Sequence, residues 1–191
     1  MIKRLVAIAA LTLTASPALA HTGIGAHGSF MAGLAHPISG LDHVLAMVAV
    51  GLWAAQTGGK ALWAWPLAFV SVMLIGGGLG IAGFALPMVE PGILASIVVL
   101  GLMVGFAVKV PTAAGAALVG AFALLHGHAH GTELAGGTAL TYAAGFALAT
   151  MALHLSGLGA GLLTHRRFAG IALRLAGAVT AALGLGLAFA V

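Results

Sequence analysis

Two short stretches concentrate the side chains capable of chemistry. The first is His36-Pro37-Ile38-Ser39-Gly40-Leu41-Asp42-His43, with Met47 one turn further on; the second is His126-Gly127-His128-Ala129-His130-Gly131-Thr132-Glu133. Imidazole nitrogen and carboxylate oxygen together suit divalent transition ions. Nine histidines stand against three carboxylates and no cysteine, so thiolate metal sites, disulfides and thiol nucleophiles are excluded.

The spacing of the first stretch has a geometric meaning. On a helix advancing about 100° per residue, His36 and His43 differ by only about 20° and Met47 sits about 40° beyond, so the three share one face. Pro37 either starts the inner part of that helix or kinks it, freeing the Gly33 carbonyl as a further oxygen ligand. Asp42 points about 100° away from His43, toward a neighbouring helix or as the partner that fixes an imidazole tautomer. A carboxylate inside an apolar span costs roughly 2.5–3.5 kcal/mol and asks for compensation. An Asp-His pair bridging two helices would supply it, and so would an ion path.

In the second stretch the glycines favour a loop, in which alternating histidines converge; if the helix continued, His126 and His130 would meet at i, i+4. A solvated histidine-rich loop without a specific role is the competing reading. His154, with Thr150 one turn before it and Met151 nearby, is either an exit ligand or a hydrogen-bonding partner between helices. His165 beside Arg166 belongs to a solvated loop. Met73, Met103 and Met151 offer soft contacts along a path, but methionines in apolar helices ordinarily fill gaps. His21 and His27 stand in a glycine-containing leader, where a free amine at His21 would chelate together with its imidazole.

The elements that hold these residues follow from composition. Of 191 residues 62% are hydrophobic and 5% charged, with a mean hydropathy of +1.19, far from the roughly 25% charged residues of a soluble domain. The expected solvent is lipid. The pI near 10.4 arises from seven basic residues against three acidic ones, scattered without a stripe, and gives no reason to expect a nucleic-acid partner. Residues 1–20 have the basic start, apolar run and Ala18-Leu19-Ala20 end of a cleaved signal peptide. Residues 21–29 form a periplasmic leader, and residues 30–191 one transmembrane domain. Apolar stretches near 30–55, 61–86, 92–108, 112–126, 136–158 and 168–190 predict an all-α bundle of six spans.

With the mature N-terminus outside, Lys60, Lys109, Arg166, Arg167 and Arg174 all fall at cytoplasmic ends, as the positive-inside tendency requires. The C-terminus then lies outside too. His21, His27, His36, His43, His126, His128 and His130 gather at the outer side, with Asp42, Glu90 and Glu133, a face suited to collecting a divalent cation. Gly76/Gly80, Gly101/Gly105 and Gly157/Gly161 have the spacing that lets helices approach closely in lipid, which also admits a helix-mediated homo-oligomer. Trp53, Trp63 and Trp65 suit an interfacial belt better than a stacking site.

The segment HPISGLDHVLAMVAVGLWA, after a signal peptide and a histidine-containing leader, together with HGHAHGTE, resembles the HupE/UreJ family of small nickel or cobalt permeases over essentially the whole mature chain. The resemblance implies a six-helix secondary transporter of the bacterial inner membrane that takes up nickel, or cobalt, for enzymes such as hydrogenase or urease. It places the functional positions at His36, Asp42 and His43, with His128, His130 and Glu133 in the later motif. Met47, His126, His154, His21 and His27 are further candidates. Nickel and cobalt are not separated by these ligands. The ion is cargo, and no prosthetic group is expected.

The chain carries no Walker-type glycine loop, so a gradient or a partner must supply the energy. A membrane metallochaperone that binds metal outside without moving it would share the same clusters. A membrane enzyme with a histidine-bound metal lacks a separate nucleophile or general acid in this sequence, and none is expected.

Overall fold

The computed structural model describes residues 29–134, 138–168 and 170–190, with the side chains of residues 165–168 left aside. His21, His27 and the signal peptide lie outside the described residues. The described chain is helical without strands: α1 (Phe30–Ser39), α2 (Leu41–Thr57), α3 (Ala61–Ile81), α4 (Val89–Gly105), α5 (Thr112–Glu133), α6 (Ala139–Phe168) and α7 (Ile171–Ala190). Four of these, α3, α5, α6 and α7, are long and apolar enough to cross a membrane. α1 and α2 together amount to a fifth if the bent pair is one span. α4 has 17 residues, about 26 Å at 1.5 Å per residue, a little under the apolar thickness of a bilayer. Leu74, Ile75, Leu102, Leu148, Leu155, Leu163, Val179 and Phe189 face outward, a surface that lipid covers and water does not.

Where the first span was expected to run through His36, His43 and Met47 on one face, it is broken. α1 starts at Ser29, whose side chain accepts a hydrogen bond from Ala32 N at 3.0 Å. Pro37 is accommodated within α1, and the break falls three residues later at Gly40, whose extended backbone (φ −93°, ψ 119°) turns the chain by 83° before α2. Gly40 still opens α2 by accepting from Val44 N at 3.0 Å.

Backbone-to-backbone contact at glycines sorts the helices into three modules. α3 lies on α5 through Gly76 and Gly80 on one side and Gly127 and Gly131 on the other: at each, a Cβ would strike backbone atoms of the partner helix. α1 and α2 lie on α6 in the same way through Gly33, Gly51, Gly145 and Gly157, and α4 on α7 through Gly101 and Gly177. Small-residue spacing thus acts as expected for packing in lipid. The most extensive helix contacts follow the same pairs, α3 with α5, α2 with α6 and α4 with α7.

Between modules the contacts are made by side chains. Trp53 of α2 and Trp65 of α3 are fully buried with ring centroids 4.2 Å apart and planes tilted by 38°, so they pack against each other inside the bundle and do not form the expected interfacial belt. Their indole N–H groups donate to the carbonyls of Val108 (2.8 Å) and Thr112 (2.9 Å), which satisfies the polar tip of each ring in the α4–α5 connection. Trp63 alone of the three is exposed. α6 also differs from expectation at its far end, continuing as helix through the residues assigned to a loop at His165.

Candidate metal centre

The two histidine stretches meet. α1 brings His36, α2 brings Asp42 and His43, and α5 brings His126, His130 and Glu133 to one end of the bundle, where Tyr142 and Phe146 of α6 wall the site. The turn at Gly40 makes this convergence possible in a way one straight helix would not. The His36 ring lies 6.1 Å from that of His43 and 4.4 Å from that of His130, from a position on a different helix axis.

His43 and His130 are in direct contact, Nε2 to Nε2 at 2.5 Å across 87 positions of sequence. Two imidazole nitrogens facing each other can hold one proton between them; a cation bound to both would replace that proton. A ligand atom from each of His36, His130 and Glu133 lies within 4.8 Å of the other two, a separation that one metal ion can span. Glu133 Oε2 is 3.7 Å from His130 Nδ1, and Asp42 Oδ2 is 3.0 Å from His43 Nδ1. Each contacting imidazole therefore has a carboxylate within ion-pairing distance of its other nitrogen. Asp42 lies against the imidazole of its sequence neighbour on the same helix.

The helix continues to Glu133 where a loop was expected after His126. Its glycines are there for packing: Gly127 and Gly131 face the Met73 and Gly77 carbonyls of α3. Helical continuation puts His126 and His130 on the same side, and turns His128 away. His128 Nε2 donates to the Phe84 carbonyl at 2.6 Å, tying α5 to the segment after α3, so the structure does not bring His128 to the cluster. His126 does belong to it, fully buried with its ring 5.1 Å from His43. The i, i+4 relation to His130 was the available signal.

Met47 is buried, but what it contributes toward a histidine is its main-chain carbonyl, which accepts from His154 Nδ1 at 2.8 Å. His154 is fully buried against Phe69, ring centroids 4.9 Å apart, and Phe69 also touches His126 at 5.7 Å. Sequence reasoning missed Ser96, whose hydroxyl lies 3.0 Å from His126 Nε2, and the wall formed by Tyr142 and Phe146. Tyr142, the one tyrosine of the chain, stands one turn before Phe146, a pairing that could have flagged this face.

Comparison with known proteins agrees with the resemblance drawn from the motifs. Residues 9–187 match the family model described as HupE / UreJ protein. The chain is 50% identical over 179 residues to Protein HupE of Rhizobium leguminosarum bv. viciae, covering 93% of this chain and 94% of that one. No solved structure matches.

Proposed function

Because the chain belongs to the HupE/UreJ family, we propose that it carries nickel, or cobalt, across the bacterial inner membrane into the cytoplasm as a secondary transporter, supplying metalloenzymes such as hydrogenase or urease. The observation that supports this most is the meeting of His36, His43 and His130, flanked by Asp42 and Glu133, at one end of an apolar helical bundle. Imidazoles and carboxylates strip part of the hydration shell of a divalent ion there, and His126 continues the polar surface inward. The metal is substrate, held by a partial ligand set that leaves room for exchange.

An inside-negative potential suffices to drive uptake. For a divalent ion each 100 mV contributes roughly 2 × 2.3, about 4.6 kcal/mol, equivalent to a concentration ratio of order 10³. The test is uptake into proteoliposomes under an imposed voltage, comparing nickel, cobalt and zinc. Wild-type chain should accumulate nickel or cobalt with voltage, and Asp42→Asn or His43→Ala should abolish that accumulation with membrane insertion intact. Metal binding without accumulation would favour the metallochaperone reading, and normal uptake by correctly inserted variants would refute the site.

A further inference from the structure

Inward of the contacting pair lie two more histidines, each with one ring nitrogen engaged by a neighbouring polar group. Ser96 Oγ donates its single proton to the Ile93 carbonyl at 2.6 Å, so toward His126 Nε2 it accepts. With the hydroxyl proton engaged by that carbonyl, His126 carries its proton on Nε2 and leaves Nδ1 a bare acceptor. At His154 the logic is reversed: Nδ1–H donates to the Met47 carbonyl, and Nε2 is the bare acceptor. Both bare nitrogens are buried without a hydrogen-bond partner among the described residues.

A buried imidazole acceptor is ordinarily satisfied. An imidazole that gives one N–H to a carbonyl or hydroxyl and keeps the other nitrogen free is oriented as metal-binding histidines are. The positions are graded in depth: His126 is one turn, about 6 Å, inward of His130, and His154 is two turns, about 12 Å, inward of Phe146 on α6. The Phe69 ring lies against both. On the adjoining turns Thr150 donates its hydroxyl to Met73 Sδ at 3.7 Å, so a thioether and a hydroxyl are the polar atoms next along the same seam.

We infer that His126 Nδ1 and His154 Nε2 form an inner binding step for the divalent cation, which passes from the His43–His130 pair to His126 and then, past the edge of Phe69, to His154. The inference rests on the transport reading and assigns its route. Each transfer exchanges one imidazole nitrogen for another as far as His154, with the Phe69 ring between the last two. The carbonyl of Met47 and the hydroxyl of Ser96 are positioning groups that keep the lone pairs available.

The experiment uses the full chain in proteoliposomes with Co²⁺ as probe. Co²⁺ is bound without voltage and the outside is quenched briefly with a membrane-impermeant chelator. A fraction of the bound cobalt should survive the quench in wild type, held at the inner step; wild type that surrenders all of it at once overturns the inference. His154→Asn keeps a donor for the Met47 carbonyl and lacks the ligand at the Nε2 position. It should lose the protected fraction and lower maximal voltage-driven uptake at least about tenfold, with the half-saturating concentration unchanged. Uptake at the wild-type rate by this variant, with Asp42→Asn inactive, would remove the inner step and leave the transport reading standing. Wild type that neither binds nor accumulates cobalt or nickel would remove both.

Discussion

Replacing Gly80 by alanine tests the packing that holds the site together. A Cβ there would stand 2.6 Å from the His128 carbonyl oxygen and 2.8 Å from Thr132 N, both backbone atoms of α5 that no side-chain rotation can move. Ordinary contact begins near 3.4 Å, so α3 must retreat from α5 by about 0.8 Å at this level. Overpacking of this kind costs roughly 1–3 kcal/mol, against which the better helix propensity of alanine returns at most about 1 kcal/mol. Gly78, two residues earlier and on the opposite side of α3, has nothing within 4 Å of its added Cβ, so Gly78→Ala collects the propensity gain alone. The two variants should differ by about 1–3 kcal/mol, Gly80→Ala being the less stable. Unfolding free energy in bicelles, by denaturant titration or steric trapping, measures the difference. Equal stability of the two would refute the claim that α3 and α5 are seated backbone to backbone.

Two other perturbations separate anchoring from metal handling. His128→Ala removes the bond to the Phe84 carbonyl and should cost about 0.5–1.5 kcal/mol of stability while voltage-driven uptake stays within about twofold of wild type. Loss of uptake in a folded His128→Ala protein would return this residue to the metal path. Gly40→Ala is compatible with the local backbone, yet its Cβ would lie 2.7 Å from Asp42 Oδ1 and 2.9 Å from His43 Nδ1. It should therefore depress uptake by displacing both side chains while the thermal midpoint in detergent moves little; unchanged uptake would argue against the Asp42–His43 geometry.

The residue types at the site were legible in the sequence because polar side chains are conspicuous in a chain with so few of them, and the structure brings His36, Asp42, His43 and His130 together at one end of the bundle. The differences from the sequence reading have separate physical roots. In water Gly127 and Gly131 argue for a loop, whereas in lipid small residues mark helix contact, which is why the sequence alone suggests a loop after His126 where the helix runs on to Glu133. Pro37 is expected to start or to kink the helix, yet it fits near the end of a ten-residue helix, and Gly40 supplies the extended conformation between α1 and α2. The burial of Trp53 and Trp65 is not legible in the sequence because nothing in their spacing reveals that Val108 and Thr112 offer carbonyls to the indoles.

The division into glycine-seated modules has a mechanical corollary. His126 and His130 ride on the α3–α5 unit, whereas His36, His43 and His154 ride on the unit built around α6. A small shear of one unit past the other changes the His43–His130 gap and the shielding of His154 by Phe69 in the same stroke, while the tightly seated interiors stay rigid. On the proposed transport reading, a cross-link joining α2 to α5 should therefore hold both ends of the route fixed together.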